Sequence, residues 1–439
     1  MLLLWLIYQP KGLNFAEPTW SMEAPSISLN DHSFMSVQLL HFWLVVVSLL
    51  HFLTAMVKTV ERIELPNSSI GTKHILYVHE YKPTSTEPVK SAYIQGSLHA
   101  DELPGIMVNH HLLRMLDDAE RNNDILQKIT VVPYANPMGL SQWLLGSHIG
   151  RFNFDTAVNF NRDWPEYTKN VISSIEGKLS PIDVNANVQL VRDAILDALE
   201  KDNKSIKEEQ MMKKILFKRA AIADVVLDLH CDTWAVMHMY THDKLWPEMS
   251  DLACELRSEC QLTAPLSGGS PFDEACSCLW ASVQEKYPDY PIPMACQSVT
   301  VELRGEYDVS DEFAHRDAEA IFRFLQRRGY VKSNTELGPL PSLIRDATPL
   351  TGVDMIEGPA VGVVNWIVKP GDFVTAGQLL GEIINIEDHN APRTPVTSST
   401  DGLVFGMRPN RLVRAGQIII KVSGEHPLGY RTGNLLTSK

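Results

Sequence analysis

Near residue 336 the chain changes rhythm, and this limits it to two kinds of architecture joined in one polypeptide. Before that point short apolar runs alternate with segments of helical period. After it, from Pro349 to Val422, no helical period remains, and turn glycines recur at 352, 358, 362, 371, 377, 381, 402, 406 and 416 between β-branched runs. The first region predicts an alternating hairpin over residues 60–82, turning at Asn-Ser-Ser-Ile-Gly-Thr. Strands follow at 91–98 and 129–133, with a helix from Pro104 to Ala119 between them. Helical patterns over 185–200 and 206–220 precede a strand at Asp224–His230, a further strand at Ser298–Leu303 and a helix over 310–327. Such alternation gives an α/β domain whose mixed, mostly parallel sheet is flanked by helices. The connection from 133 to about 165, rich in Gly, Asn and aromatic residues, is longer than a compact domain keeps without a use for it.

The glycine-punctuated region holds two related segments, GVVNWIVKPGDFVTAGQLLGEI and GLVFGMRPNRLVRAGQIIIKV. Each reads as a strand, a tight turn, an Ala-Gly-Gln turn and another strand. The pair resembles the two halves of a biotinyl/lipoyl-like all-β barrel module. A swinging-arm carrier needs a lysine on the hairpin between the halves, where this chain has Glu387, Asp388 and His389, so the module is expected to be structural or substrate-shielding. At the other end, residues 39–56 form an apolar run of 18, the lower limit for crossing a hydrocarbon core. His41, Ser48 and His51 interrupt it, and it lacks the basic stretch of a secretory signal. The expected division is a hydrophobic N-terminal extension over 1–55 outside the fold, a catalytic domain over 56–335 and the β module over 336–439, with Met56 near the natural start. The alternative for the first segment is a membrane anchor, which Lys58 and Arg62 would orient with the rest of the chain in the cytoplasm. A net charge of −14 repels a phosphate backbone and argues against nucleic acid as a partner. Six cysteines without a C-x-x-C pair read as ordinary reduced thiols.

Four pieces of sequence carry chemistry where an α/β sheet places function, at or just beyond strand ends. His99 and Glu102, three apart in a turn entering a helix, can reach one metal ion. His230 ends a strongly apolar strand, where an unpaired imidazole is costly, and offers a third ligand that Asp228 can orient from the same strand face. A His-Glu-His set with an open fourth position matches catalytic zinc, which lowers the pKa of a bound water to about 7. In the long loop, Asn161 and Arg162 suit a substrate carboxylate, and Arg151 is a second cation near the scissile carbonyl. On the last strand Glu302 and Arg304 are expected to share a face, Glu302 as general base and Arg304 as a substrate-binding residue or a support for Glu302. Read singly, each piece has a bland account: a polar helix entrance, a satisfied core histidine, surface ion pairs, an internal ion pair. His110, His111, His238 and His242 are assigned to helix surface or loop.

Taken in order, H-x-x-E, N-R, a histidine closing a strand and T-x-E, these elements resemble the zinc carboxypeptidase clan. Within it they resemble the succinylglutamate desuccinylase/aspartoacylase family, over about residues 90–330, and the trailing β module also fits that family. The resemblance implies zinc ligands His99, Glu102 and His230 with one Zn2+ per chain, carboxylate recognition by Asn161 and Arg162, the base Glu302 and a carbonyl-polarising Arg151. The family pattern often reads D-x-N-R, whereas Asn159 stands in the first slot here and leaves a neutral amide to orient a ligating histidine. The implied function is a zinc-dependent deacylase: a hydrolase cleaving the amide bond of a small N-acylated amino acid or related compound, a carbon–nitrogen bond other than a peptide bond in a linear amide. A metallocarboxypeptidase acting on short peptides and a catalytically silent zinc- or ligand-binding homologue are the alternatives. The expected partner is a small anionic N-acyl substrate and the expected location the cytoplasm, with no membrane contact unless residues 39–56 are a real anchor. A homo-oligomer is compatible with the sequence.

Overall fold

The computed structural model describes residues 58–83, 90–202 and 207–436. The expected extension over 1–55 and the apolar run at 39–56 lie outside the described residues. Among the described residues, no helix is long and apolar enough to cross a membrane.

β1 (Thr59–Glu64) and β2 (Ile75–Tyr81) form the expected antiparallel hairpin. β3 (Ser91–Gly96) leads into α1 (Pro104–Arg121), and β4 (Lys128–Val132) follows. The long connection holds a one-turn helix α2 (Pro137–Leu140), a hairpin of β5 (Trp143–Leu144) and β6 (Ser147–His148), and a bridge between Phe152 and Asn159. Helices α3 (Thr168–Ile175), α4 (Val184–Lys201) and α5 (Glu208–Ala220) precede β7 (Val225–Asp232). Then come β8 (Trp234–Ala235), β9 (His238–Thr241), α6 (Ser250–Leu256), β10 (Cys260–Thr263) and α7 (Phe272–Lys286). β11 (Gln297–Gly305), α8 (Asp311–Arg327) and β12 (Thr348–Pro349) complete the first region. The strands join in the order β1-β2-β4-β3-β7-β11-β9-β10-β12. β4, β3, β7 and β11 run parallel, β9 reverses against β11, and β10 and β12 then run parallel to β9. This is the mixed, mostly parallel sheet that the alternation predicts.

Helices cover both faces of the sheet, so its central strands are apolar on both sides. Val225, Leu227 and Leu229 of β7 belong to a core shared with α1, α6 and α8. Val226, between them, belongs to a second core shared with α3, α4, α5 and α7. Since side chains alternate along a strand, Asp228 and His230 continue the face of Val226. The same alternation puts Val299, Val301 and Leu303 of β11 in the first core and turns Thr300 and Glu302 the other way. The sheet thus carries a polar row toward the strand ends of one face, and that row positions the chemistry.

The second region is all β: β13 (Val353–Glu357), β14 (Gly362–Trp366), β15 (Phe373–Val374), β16 (Leu379–Ile384), β17 (Thr394–Thr397), β18 (Gly402–Met407), β19 (Leu412–Val413) and β20 (Ile418–Ser423). Two sheets, β13-β20-β18-β15 and β17-β16-β14-β19, enclose a core that includes Val364, Leu380, Val404 and Ile420. The two related segments exchange their short middle strands, since β15 pairs with β18 and β19 with β14. Glu387, Asp388 and His389 lie exposed between them. The module is not a separate bead: β8 adds to its sheet, with Ala235 opposite Gly406 and Trp234 opposite Met407.

Candidate metal centre and its cleft

The turn between β3 and α1 delivers His99 and Glu102, and two glycines decide how close it lies to β7. A Cβ on Gly96 would stand 2.9 Å from the carbonyl carbon of Gly105, and one on Gly105 would stand 2.9 Å from the Leu229 carbonyl oxygen. With neither Cβ present, α1 begins against the end of β7. There both imidazoles turn Nδ1 toward one carboxylate: His99 Nδ1 is 2.9 Å from Glu102 Oε1 and His230 Nδ1 is 2.7 Å from Glu102 Oε2. The remaining ring N–H groups are donated backward, from His99 Nε2 to Asn159 Oδ1 at 2.8 Å and from His230 Nε2 to Asp228 Oδ2 at 2.9 Å. Asp228 is held in turn by Gln95 Nε2 at 2.9 Å, and Gln95 by the Tyr93 hydroxyl at 2.7 Å. The Asn159 amide that replaces the carboxylate of the family pattern therefore still orients a ring, because its oxygen accepts both the His99 N–H and the backbone N–H of Asn161.

One ligand atom from each of the buried residues His99, Glu102 and His230 lies within 4.8 Å of the other two. Two imidazole nitrogens and a carboxylate, with their outer N–H groups already satisfied, form a donor set suited to zinc. Arg151 offers an independent test of the fit, since its guanidinium bridges Glu102 Oε1 at 2.8 Å and His99 Nδ1 at 3.2 Å. Two acceptors face each other there, and a cation is what reconciles them. Burial and the nearby Arg151 charge hold the His99 pKa below the ordinary histidine value, so His99 is neutral and keeps its lone pair. Burial opposes charge on His230, but Asp228 and Glu102 outweigh it and hold that pKa well above the ordinary value. A metal ion would take the place of the His230 Nδ1 proton.

Glu302 lies opposite His230 in the parallel pairing of β7 and β11. Its Oε2 is buried without a hydrogen-bond partner among the described residues, and burial together with the Glu102 charge pushes its pKa up to about 8. Arg151 is brought in by Gly150, whose carbonyl accepts the Ala100 N–H at 3.0 Å and whose missing Cβ leaves room for the backbone of Asp101. Asn161 is buried beside His230, its Oδ1 accepting the first backbone N–H of α7, from Phe272, at 2.8 Å. Arg162 lines the same cleft and donates to the Asn161 carbonyl at 2.6 Å.

Arg304 is not brought to the cleft. The β7–β11 register shifts between Glu302 and Gly305, and Arg304 sits at φ 66°, so the alternation that would align it with Glu302 is broken. Its guanidinium instead pairs with Asp317 of α8 over the ring of Phe313. His238 and His111 also depart from a surface assignment: His238 is fully buried on β9 opposite Glu302, and His111 is buried and bonded to Asp311. His242 lines the cleft.

The cleft, about 910 Å3 and open to solvent, runs from the metal ligands across the sheet to β10 and the start of the module. The sequence reading missed several of its residues. Lys421, a lone cation inside the apolar run of β20, ion-pairs with Asp232 at the end of β7, and its position among isoleucines and valines was the available signal. Asp273 and Glu274 lie in the first turn of α7, and the helical spacing of Phe272, Cys276, Leu279, Trp280 and Val283 behind them was the available signal.

Residues 88–328 match the family model of the Succinylglutamate desuccinylase/Aspartoacylase catalytic domain. Among solved structures, a succinylglutamate desuccinylase/aspartoacylase from Shewanella frigidimarina NCIMB 400 is 21% identical with a TM-score of 0.74, covering 85% of this chain and 99% of its own. A succinylglutamate desuccinylase/aspartoacylase family protein from Shewanella amazonensis SB2B is 23% identical with a TM-score of 0.73, covering 84% of this chain and 100% of its own. The product-bound ectoine utilization protein EutE (DoeB) from Ruegeria pomeroyi is 15% identical with a TM-score of 0.55, covering 84% of this chain and 95% of its own. At these identities the structures establish a shared fold. None of the curated proteins matches the chain.

Proposed function

Because the chain belongs to the succinylglutamate desuccinylase/aspartoacylase family, whose members are deacylating hydrolases, we propose that it is a zinc-dependent amidohydrolase that removes a small acyl group from the nitrogen of an amino acid or related compound. The observation that carries this reading is the convergence of His99, Glu102 and His230 beside Glu302, whose buried Oε2 has no hydrogen-bond partner among the described residues. Those three ligands would hold the metal, which when bound supplies Lewis-acid chemistry: it polarises the amide carbonyl and makes water nucleophilic near neutral pH.

The remaining work falls to side chains of the cleft. Arg162 grips the carboxylate of the amino-acid portion, and the Asn161 amide beside it fixes the loop that aims the guanidinium. Arg151, no longer needed at Glu102 once that carboxylate has a stronger cation, stabilises the carbonyl oxygen as negative charge grows there. Glu302 Oε2 takes the proton of the attacking water and returns it to the leaving nitrogen. To do so it must be ionised; burial is the main cause of its raised pKa, and a cation at Glu102 would remove the Glu102 repulsion that adds to it.

The test is to measure zinc per chain and turnover on acetylated and succinylated amino acids and short peptides, with Glu302→Gln as the comparison. Metal in both proteins, with turnover of the acylated amino acids falling by about 10²–10⁴-fold in the variant, is the expected result. Comparable rates would remove Glu302 from its role, and faster cleavage of peptides would reassign the substrate.

A further inference from the structure

The charges of the cleft constrain the substrate beyond the general class. Its lining contains the cations Arg151, Arg162 and Lys421. Arg151 is engaged with Glu102 and, in the proposed reaction, with the reacting carbonyl. Lys421 is neutralised by Asp232. Arg162 donates to a backbone carbonyl, and among the described residues no carboxylate forms an ion pair with it. Among the described residues Arg162 is therefore the guanidinium of the cleft without an ion pair, with Asp273 and Glu274 in its electrostatic range but not paired to it, enough for one carboxylate.

Farther from the metal ligands the wall follows the sheet order through β9 and β10 to the module. It presents Tyr240, Leu262, Ala264, Leu350, Met355 and Leu436. Of the other charged groups in the lining, Lys421 of β20 is paired with Asp232, and the acids Asp273 and Glu274 of α7 lie within electrostatic range of Arg162, with Glu274 accepting the Ser267 N–H. His242 Nδ1 accepts the Lys244 N–H, and burial holds its pKa below the ordinary value, so it is neutral. A second substrate carboxylate against those apolar side chains would lose its water and meet no cation free of an ion pair among the described lining residues, which is the arrangement that rejects a ligand.

We infer that the substrate carries a single carboxylate, held by Arg162, and that its other arm is uncharged and apolar. This rests on the deacylase reading and separates the chain from the dicarboxylate compounds in the family's name. The apolar arm can belong to the acyl group or to the amino-acid side chain.

Zinc-loaded full-length protein is assayed for kcat/KM on N-acetyl-leucine, N-hexanoyl-glycine, N-acetyl-aspartate and N-succinyl-glycine. At least one of the first two is expected to exceed both dicarboxylates by about a hundredfold, and whichever leads identifies the arm. Equal or better turnover of a dicarboxylate overturns the inference and leaves the deacylase reading intact. No turnover of any of the four by metal-loaded protein overturns that reading, and the inference with it. In Leu436→Arg, which places a cation on the far wall at the mouth, the dicarboxylate-to-monocarboxylate ratio is expected to rise about tenfold. An unchanged ratio in a variant of native circular dichroism puts that wall outside the substrate's reach and also overturns the inference.

Discussion

Single side chains in this site are defined by what stands behind them. Asp228 accepts the His230 N–H on one oxygen and the Gln95 amide on the other. In Asp228→Asn one of those acceptors becomes a donor facing a donor, so the ring loses its fixed tautomer. Zinc affinity, measured by chelator competition, should fall about 10- to 100-fold, whereas Asn159→Asp, which adds charge behind His99, should tighten it. His238 gives a separate prediction. Burial between the rings of Tyr240 and Phe405 lowers its pKa from 6.5 to about 4. The unfolded chain then binds a proton that the folded one does not, so stability is lost as pH falls from about 6.5 to about 4, by about 3 kcal/mol at full extent. Denaturant unfolding of His238→Phe should lack that loss, and an identical pH slope in both proteins would assign it elsewhere. At this scale order and spacing singled out His99, Glu102 and His230, which the fold brings together, and Glu302, which it places opposite His230. The sequence misplaced Arg304 because a positive φ at one residue breaks a period-two rule, and His238 because a four-residue strand is too short to show a period.

At the level of elements, the geometry of the metal centre is a matter of how closely α1 approaches β7. Gly105→Ala would place a methyl 2.9 Å from the Leu229 carbonyl oxygen and 3.3 Å from the Gly96 Cα, neither of which is a flexible side chain. The helix must shift, carrying Glu102 away from His230. We expect a loss of about 1–3 kcal/mol of stability together with sub-stoichiometric zinc. Gly429→Ala, with no heavy atom within 4 Å of the new Cβ, should change stability by less than about 0.5 kcal/mol. Full zinc in Gly105→Ala would mean the turn is set by something other than this contact. The elements that the sequence revealed are those with a clear period: β3 and β7 as apolar runs, α1 and α8 as one-sided helices. α7 went unread although its buried Phe272, Cys276, Leu279, Trp280 and Val283 stand at i, i+4, i+7, i+8 and i+11, a one-sided stripe that the sequence does carry. α6 and β10, of 7 and 4 residues, are too short for periodicity to rise above chance.

Across the whole molecule, the rhythm change near residue 336 marks a change of architecture that strand pairing ignores. β12 lies beyond it yet joins the sheet of the first region, and β8 lies before it yet joins the sheet of the module. One hydrophobic core is built from both sides: Val236, Cys260 and Leu262 pack with Leu350, Val353, Met355, Leu403 and Phe405. At about 1.5–3 kcal/mol for each large apolar side chain buried, the five contributed by the module together rival the 5–15 kcal/mol net stability of a typical protein. The two regions are therefore expected to unfold together. We expect one calorimetric transition whose van't Hoff and calorimetric enthalpies agree, shifted upward as a unit by zinc although the metal touches only the first region. A chain ending at residue 346 should fail to give that transition and should expose apolar surface to a hydrophobic dye. Two resolved transitions, with zinc raising only one of them, would show that the shared core does not couple the regions. In that case the module's part of the cleft wall would be free to move away from the metal centre.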